Sequence, residues 1–399
     1  MAAAGIIAEY NPLHRGHCHQ LRRLRALLGE ETPVICAMSG NFVQRGDFAL
    51  LPKHARAEAA VRSGADLVLE IPLSWACAPA ERFAQGGIEV LRATGLVTDL
   101  VFGSESADAG AIRTAAEALL SPDLPEALRR ELAGPRSFAA ARQRALASLI
   151  GEEGAAVLSR PNDILAVEYA KALSREESEI RLVPILRQGA GHDQDGGEYP
   201  SAGSIRRMLQ EGRRTEALAA MAPAMGEIYE AEEARGRAPV FAAGAQRAIL
   251  AQLRRMEETD FLALDAGGEG LGYRLAAAAR EAASLEELLD RAKTKRYAYA
   301  RLRRLVLWAY LGLFPETLPV RVPYLRPLAM NARGRALLAA MRKGAALPIL
   351  TKPADVRRLS PEAQAVFRQE VLATDLYTLA FPGEPAPGGA EWREGPRVL

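Results

Sequence analysis

Cysteine, histidine and lysine are scarce in this 399-residue chain, and each scarcity narrows what the protein can be. The three cysteines, Cys18, Cys36 and Cys77, are scattered and odd in number, which gives no disulfide framework and suits a reducing compartment. No uninterrupted apolar run is long enough to cross a membrane, and the N-terminus enters an apolar segment without a basic start and cleavable stretch. A soluble, cytoplasmic protein with no membrane partner is therefore expected. An excess of either charge is missing too: 51 Lys and Arg face 49 Asp and Glu, a formal net charge of +2, so any nucleic-acid partner has to be sought in local patches. Nothing in the composition points to an obligate protein partner. What remains is a chain that is 49% hydrophobic, enough for real cores, and long enough for two or three domains.

The five histidines are not evenly spread: three lie in the stretch GIIAEYNPLHRGHCHQ at positions 5–20. Residues 5–8 are short, apolar and β-branched, as in a buried parallel strand, and Asn11-Pro12 stops the strand with a stiff turn lacking one backbone N–H. From His17 onward Leu21, Leu24 and Leu28 recur at helical spacing, which predicts a helix starting near Arg15 with its free N–H groups and positive dipole end at the sheet's carboxyl edge. There Gly16 lets backbone approach a phosphate, while His14 and His17 can donate hydrogen bonds to charge that develops on a phosphoryl group during in-line displacement. His14, His17 and Cys18 can also ligate zinc, yet no compact second pair of ligands follows, so no structural metal is expected.

The first half then alternates strand and helix: strands at 33–38, 66–71, 99–102 and 180–186, and helices at 55–63 and 81–93, with an alanine-rich helical insertion at about 108–158. This rhythm predicts an α/β fold, a Rossmann-like doubly wound parallel sheet whose ligands lie beyond the carboxyl ends of the strands. Several stretches reach that edge. The loop at 39–46 offers Asn41, Gln44 and Arg45, able to close over a ligand or contact RNA, with Lys53 and His54 following either as reach toward an anion or as solvated surface. Trp75 to Phe83 either forms a small apolar pocket with Cys77 or simply packs. Gly103 either admits a flat base or makes a plain turn. Asn162 or Asp163 is a ready helix cap, Arg187 ends a strand where it either binds phosphate or faces water, and Ser201, Ser204 and Arg206 open a helix whose hydroxyls and cation either suit phosphates or simply cap it. His192 and Asp193 sit in a glycine-rich loop between them. After about residue 215 helical periodicity dominates. A domain boundary is expected there, dividing a catalytic part at 1–215 from a mainly helical part at 216–399 that closes in a frayed Pro/Gly-rich tail. Within the second part, RAKTKRYAYARLRR at 291–304 carries seven basic residues and no acidic one, and its tyrosines can stack on exposed bases, which favours RNA over a merely solvated face.

The HxGH pattern at 14–17 resembles the signature of the nucleotidyltransferase and class I synthetase superfamily. Together with SGNFVQRG at 39–46 and KTKRY at 293–297, the chain is similar to the tRNA(Met) cytidine acetate ligases, although that family has Phe where Leu13 stands and another residue at Arg15. The resemblance implies that acetate attacks ATP to give acetyl-adenylate and pyrophosphate, and that the wobble cytidine of elongator tRNA(Met) takes the acetyl group as N4-acetylcytidine. It further implies His14 and His17 as catalytic groups, and ATP contacts at Ile7, Ala8, Glu9, Tyr10, Asn11, Pro12, His14, Gly16, His17, Gln20, Gly103, Asn162, Arg187, Ser204 and Arg206. Asn41, Gln44, Arg45 and Lys53 would face acetate or RNA, and Lys293, Lys295, Arg296, Tyr297 and Arg301 would bind tRNA. Magnesium would ride on the ATP phosphates, since no carboxylate cluster is visible. Two rivals share parts of this pattern: a small-metabolite adenylyltransferase, for which the basic segment has no use, and a silent RNA-binding protein, for which the histidine turn has none.

Overall fold

A computed structural model describes residues 2–134, 137–187, 199–265 and 270–399. Its centre is a seven-stranded sheet in the order β7-β6-β1-β2-β5-β8-β9. The strands are β1 (Ala3–Ala8), β2 (Val34–Ser39), β5 (Leu67–Ile71), β6 (Val97–Ser104), β7 (Arg181–Leu186), β8 (Pro327–Met330) and β9 (Arg397–Val398), with a small hairpin of β3 (Phe42–Val43) and β4 (Asp47–Phe48) beside it. The five strands predicted from apolar runs form the parallel part, paired for example at Ile6 with Cys36 and Phe102 with Pro184. Being covered on both faces, they read as continuous β-branched and aliphatic runs. β8 joins antiparallel to β5, and β9 follows parallel to β8, so the sheet is mixed and takes its last two strands from the far end of the chain.

Helices cover both faces: α1 (Arg15–Leu28) and α2 (Lys53–Arg62) on one, and α4 (Ala80–Ala93), α5 (Ala109–Leu120) and α8 (Pro161–Arg175) on the other. A short α3 (Leu73–Ala76) precedes α4, the expected insertion is built from α5, α6 (Leu124–Leu132) and α7 (Phe138–Ala155), and α9 (Ala202–Gln210) follows β7. Because β2 lies on one side of β1 and β6 on the other, successive connections diverge beyond the carboxyl end of β1, where open α/β sheets bind ligands.

The second half is mainly helical, yet it shares its core with the first: Phe42, Phe48, Leu73 and Cys77 pack among Leu305, Trp308 and Tyr377. Trp308 Nε1 donates to the Cys77 carbonyl at 2.6 Å, so the aromatic stretch after β5 is packing and not an open pocket. The tail expected to fray ends instead in a 3-10 turn at Ala390–Trp392, where Glu391 is only 1% exposed, and in β9. A buried carboxylate explains the order: Glu391 pairs with Lys53 at 2.7 Å and with Arg326, and Lys53 and Arg326 pair in turn with Glu70 at 2.6 and 3.3 Å. Removing one member would leave a charge unpaired away from water.

Candidate active site

β1 ends in Tyr10, held at φ 46°, and a cis Asn11-Pro12 bond that turns the chain into α1. His14 caps that helix with an imidazole in place of the usual hydroxyl or carboxylate. The Gly16 N–H donates to His14 Nδ1 at 3.1 Å, and the His14 N–H donates to His17 Nδ1 at 3.2 Å, which is the reciprocal pattern of a capping box. Both Nδ1 atoms are therefore acceptors, and each neutral ring carries its proton on Nε2. The rings stack with centroids 3.8 Å apart and 29° between planes, and Tyr10 meets His17 edge-on at 5.0 Å. Burial, reinforced by the Arg187 charge, pushes the His14 pKa down to about 3. Burial and the His14 and Arg187 charges push His17 well below its ordinary value. The result is a pair of neutral Nε2–H donors with no need to titrate. A Cβ on Gly16 would lie 2.9 Å from His14 Cε1 and 3.0 Å from Nδ1, so the glycine makes room for the ring itself.

A cleft of about 420 Å³, open to solvent, is lined by His14, Gly16, His17, His19, Gln20, Gly103, Ile185, Leu186, Arg187 and Tyr199. Its far wall is built where β6 and β7 end. The Arg187 N–H donates to the Ser104 carbonyl, and a Cβ on Gly103 would touch Arg187 Cγ at 3.2 Å. Two carboxylates lock this wall. Asp163, fully buried, accepts from Ser104 Oγ and from the N–H groups of Glu105 and Ser106 at 3.0 and 3.1 Å. Glu105 reciprocates at the start of α8, accepting from Asn162 Nδ2 at 2.6 Å and from the N–H groups of Asn162 and Asp163 at 3.2 and 3.0 Å, where the helix dipole favours an anion. With its amide nitrogen so engaged, Asn162 turns Oδ1 toward Arg187, whose Nη1 donates at 3.4 Å.

A HIGH Nucleotidyl Transferase family model matches residues 1–389. Among curated proteins, the tRNA(Met) cytidine acetate ligase of Fervidobacterium nodosum is 35% identical over 96% of each chain, and that of Thermotoga petrophila 37% over 94% of each. Among solved structures, Thermotoga maritima TmcAL bound with alpha-thio ATP matches at 34% identity, covering 100% of both chains, with a TM-score of 0.94; its apo form gives 0.95. The chain belongs to the tRNA(Met) cytidine acetate ligase family.

For a tRNA(Met) cytidine acetate ligase, the residues expected at the site divide into three groups. The first, His14, Gly16, His17, Gln20, Gly103 and Arg187, lines one cleft, with Asn162 behind Arg187 and the Gln20 amide reaching the Val101 carbonyl at 3.5 Å. The second, from Ile7 and Ala8 to Asn11, frames the same sheet edge from inside. Glu9 is raised by burial and accepts from the Gln44 N–H at 2.8 Å, Tyr10 reaches Cys36 Sγ at 3.5 Å, and Asn11 Oδ1 accepts from the Leu50 N–H and from Arg206 Nη1. Arg206 also pairs with Asp47 at 2.8 Å, so in this structure its charge is directed at the β3-β4 hairpin.

The third group departs from expectation. Lys53 is 2% exposed and spends its charge inside the Glu70–Glu391 network, not on the loop surface where it is expected. His54 beside it is buried too, its pKa pushed down to about 3. Asn41 is internal, accepting from the Lys53 N–H and donating to Thr374 Oγ1, each at 2.9 Å. Ser204 is buried next to its cap Ser201, whose Oγ lies 3.1 Å from the Ser204 hydroxyl. Tyr297 is 4% exposed, which rules out base stacking by its face in this conformation, and Lys293 Nζ donates to the Thr294 and Tyr297 carbonyls. Arg301 pairs with Asp265 at 3.0 Å, and Arg291 with Glu281 and Glu287, so the basic run does have counter-charges, supplied from upstream helices. Lys295 and Arg296 stay exposed. His192 and Asp193 lie outside the described residues.

The segment nevertheless meets the β3-β4 hairpin loop. At Gly46, φ is +75° and a Cβ would come within 2.4 Å of the Arg304 backbone nitrogen, so only glycine lets the hairpin loop seat against the basic helix Tyr299–Leu311. Arg304 then donates to the Gln44 carbonyl at 3.3 Å. Sequence reasoning missed Glu105, His19 and Tyr199, and also Arg56. That arginine is fully buried, depressed by burial to about 10, and donates to the Leu51, Glu9, Ser39 and Gly40 carbonyls, clamping the exits of β1 and β2. Glu105 stood in a Ser-Glu-Ser turn whose meaning needs its partner 58 residues on; Arg56, inside an alanine-rich helix, carried no local signal.

Proposed function

We propose that this chain is an ATP-dependent tRNA(Met) cytidine acetate ligase: it activates acetate as acetyl-adenylate and transfers the acetyl group to the wobble cytidine of elongator tRNA(Met), forming N4-acetylcytidine. The observation that carries the reading is the pair of neutral imidazoles at the start of α1, facing a cleft at the carboxyl edge of a parallel sheet, in a chain similar over its whole length to acetate ligases. In the first step an acetate oxygen attacks the α-phosphorus of ATP, a P–O bond forms, and the bond to pyrophosphate breaks. The Nε2–H groups of His14 and His17 then donate to the extra charge on the α-phosphoryl oxygens, and the α1 start adds the positive end of its dipole. Arg187, held by Asn162 and Glu105, supplies the cation on the opposite wall. Fixed donors need little reorganisation, which is why they stabilise the transition state more than water would. In the second step the exocyclic amine of cytidine attacks the acetyl carbonyl and AMP leaves.

ATP recognition is supported by the TmcAL relative whose structure holds alpha-thio ATP. Among the described residues no group of three or more His, Cys, Asp or Glu side chains is placed to hold a metal, so magnesium would enter with the triphosphate as part of the substrate. No described helix is long and apolar enough to cross a membrane. The test is to incubate the purified protein with labelled acetate, ATP and tRNA(Met): acetylated cytidine in the digested RNA is expected, and ATP cleavage with label found only in a small-molecule product would overturn the reading.

A further inference from the structure

The outer face of α1 carries Arg15, Arg22 and Arg23, all exposed, and the helix contains no acidic residue in its fourteen positions. Among the described residues, none of the three has a hydrogen bond or ion pair. On several other helices the surface arginines are paired: Arg62 with Glu227, Arg130 with Glu126, Arg144 with Glu131, and Arg214 with Glu230 and Glu233. Beyond the end of α1, Glu31 is engaged by Arg333. Arginine is abundant in this chain and exposed ones without a carboxylate partner also occur elsewhere, as at Arg255, Arg335 and Arg342, so what sets the α1 group apart is its place beside the cleft.

Position adds to charge. Gly16, His17, His19 and Gln20 of the same helix line the cleft, so the arginines begin at its rim and run away from it. Arg15 and Arg22 are two helical turns apart, roughly 10 Å at 1.5 Å per residue, long enough to meet more than one backbone phosphate. The segment expected to bind RNA, by contrast, spends Arg291 on Glu281 and Arg301 on the buried Asp265. We infer that the outer face of α1, through Arg15, Arg22 and Arg23, is a second RNA-docking surface, along which the backbone of the substrate tRNA is led to the histidine cleft. The inference rests on the tRNA-acetylating reading. It commits to an RNA backbone, because a base has to enter the cleft beside which the arginines start.

The experiment uses the full chain carrying R22E/R23E, with R22Q/R23Q as the milder variant, and measures tRNA(Met) binding between 50 and 200 mM salt. Losing two phosphate contacts should weaken binding at least tenfold for the charge reversal and make the log–log salt slope shallower by about 1.4–1.8. Acetate-dependent ATP–pyrophosphate exchange should stay at the wild-type rate, which also certifies the fold. A wild-type slope and affinity would overturn the inference, as would equal loss of binding to anionic vesicles and to RNA. K295E/R296E in the same titration separates the two readings. If it weakens tRNA binding while R22E/R23E does not, only the α1 surface fails; if the wild type never acetylates tRNA, the functional reading itself fails.

Discussion

Replacing Gly16 with alanine separates stability from catalysis. Backbone conformation at position 16 is not left-handed, so alanine is tolerated by the chain, and as the better helix former it can favour α1 by up to about 1 kcal/mol. The added methyl, however, would sit 2.9 and 3.0 Å from two atoms of the His14 ring, a separation that real Cβ atoms hardly reach. The ring has to move by several tenths of an ångström, which disturbs the Gly16 N–H to Nδ1 bond that fixes its proton on Nε2 and also its 3.8 Å stack on His17. Losing one aligned donor to a developing anion costs about 2.7–4 kcal/mol, a factor of about 10²–10³ in turnover. The melting temperature of Gly16→Ala should thus change little, the helix propensity gained being offset by the weakened His14 cap, while acetate-dependent pyrophosphate release falls at least 100-fold, with a smaller change in KM for ATP. Wild-type turnover in a folded variant would refute the idea that the ring's placement matters.

Four further outcomes follow from the same geometry. Glu105→Gln removes one of two acceptor oxygens that serve three donors at the start of α8, so Asn162 and Arg187 loosen; KM for ATP should rise about tenfold, roughly 1.4 kcal/mol, with kcat less affected, and an unchanged KM would sink the positioning role. Because burial keeps His14 neutral down to about pH 3 and His17 is depressed as well, the acid limb of kcat/KM should show no group titrating near 6.5; a half-maximal rate there would contradict neutral donors. Stability should nevertheless fall with acid. Below the unfolded value of 6.5, His14 and His54, each near 3 in the folded chain, together cost about 2.8 kcal/mol per pH unit, since the unfolded state takes up their protons first. Glu370, raised by burial to about 8, works the other way and returns about 1.4 kcal/mol per unit between pH 8 and 4.5. Denaturant titrations at pH 6.5 and 5.0 should accordingly differ by about 1–2 kcal/mol, and a more stable protein at 5.0 would show the signs to be wrong. Lys53→Met, which leaves Glu391 and Glu70 with Arg326 alone, should cost about 3–5 kcal/mol by the same method.

Local pattern carried the parts of this protein that are local. Five parallel strands could be read because each is a continuous apolar run closed by a turn, and the histidine turn because its chemistry sits within four residues. The i, i+3 spacing of His14 and His17 even contained the capping box, had imidazoles been counted as capping side chains. Long-range pairing was not legible. β8 is four residues long and gains meaning only against β5, more than 250 positions earlier. Lys53 looked like a cation near the site because its partner Glu391 lies far along the chain and Glu70 lies on the next strand, and no local rule places a tail glutamate in the interior. The basic run at 291–304 misled in the same way: it is free of acids in sequence but meets Asp265, Glu281 and Glu287 in space.

The central claim is that two neutral imidazoles at the α1 start meet the phosphoryl group that is cut. A crystal structure of this protein with a non-hydrolysable ATP analogue tests it most directly. The account predicts α-phosphate oxygens within about 3 Å of Nε2 of His14 and of His17, with Arg187 on the facing wall. A triphosphate bound with both Nε2 atoms turned away from it would contradict the account.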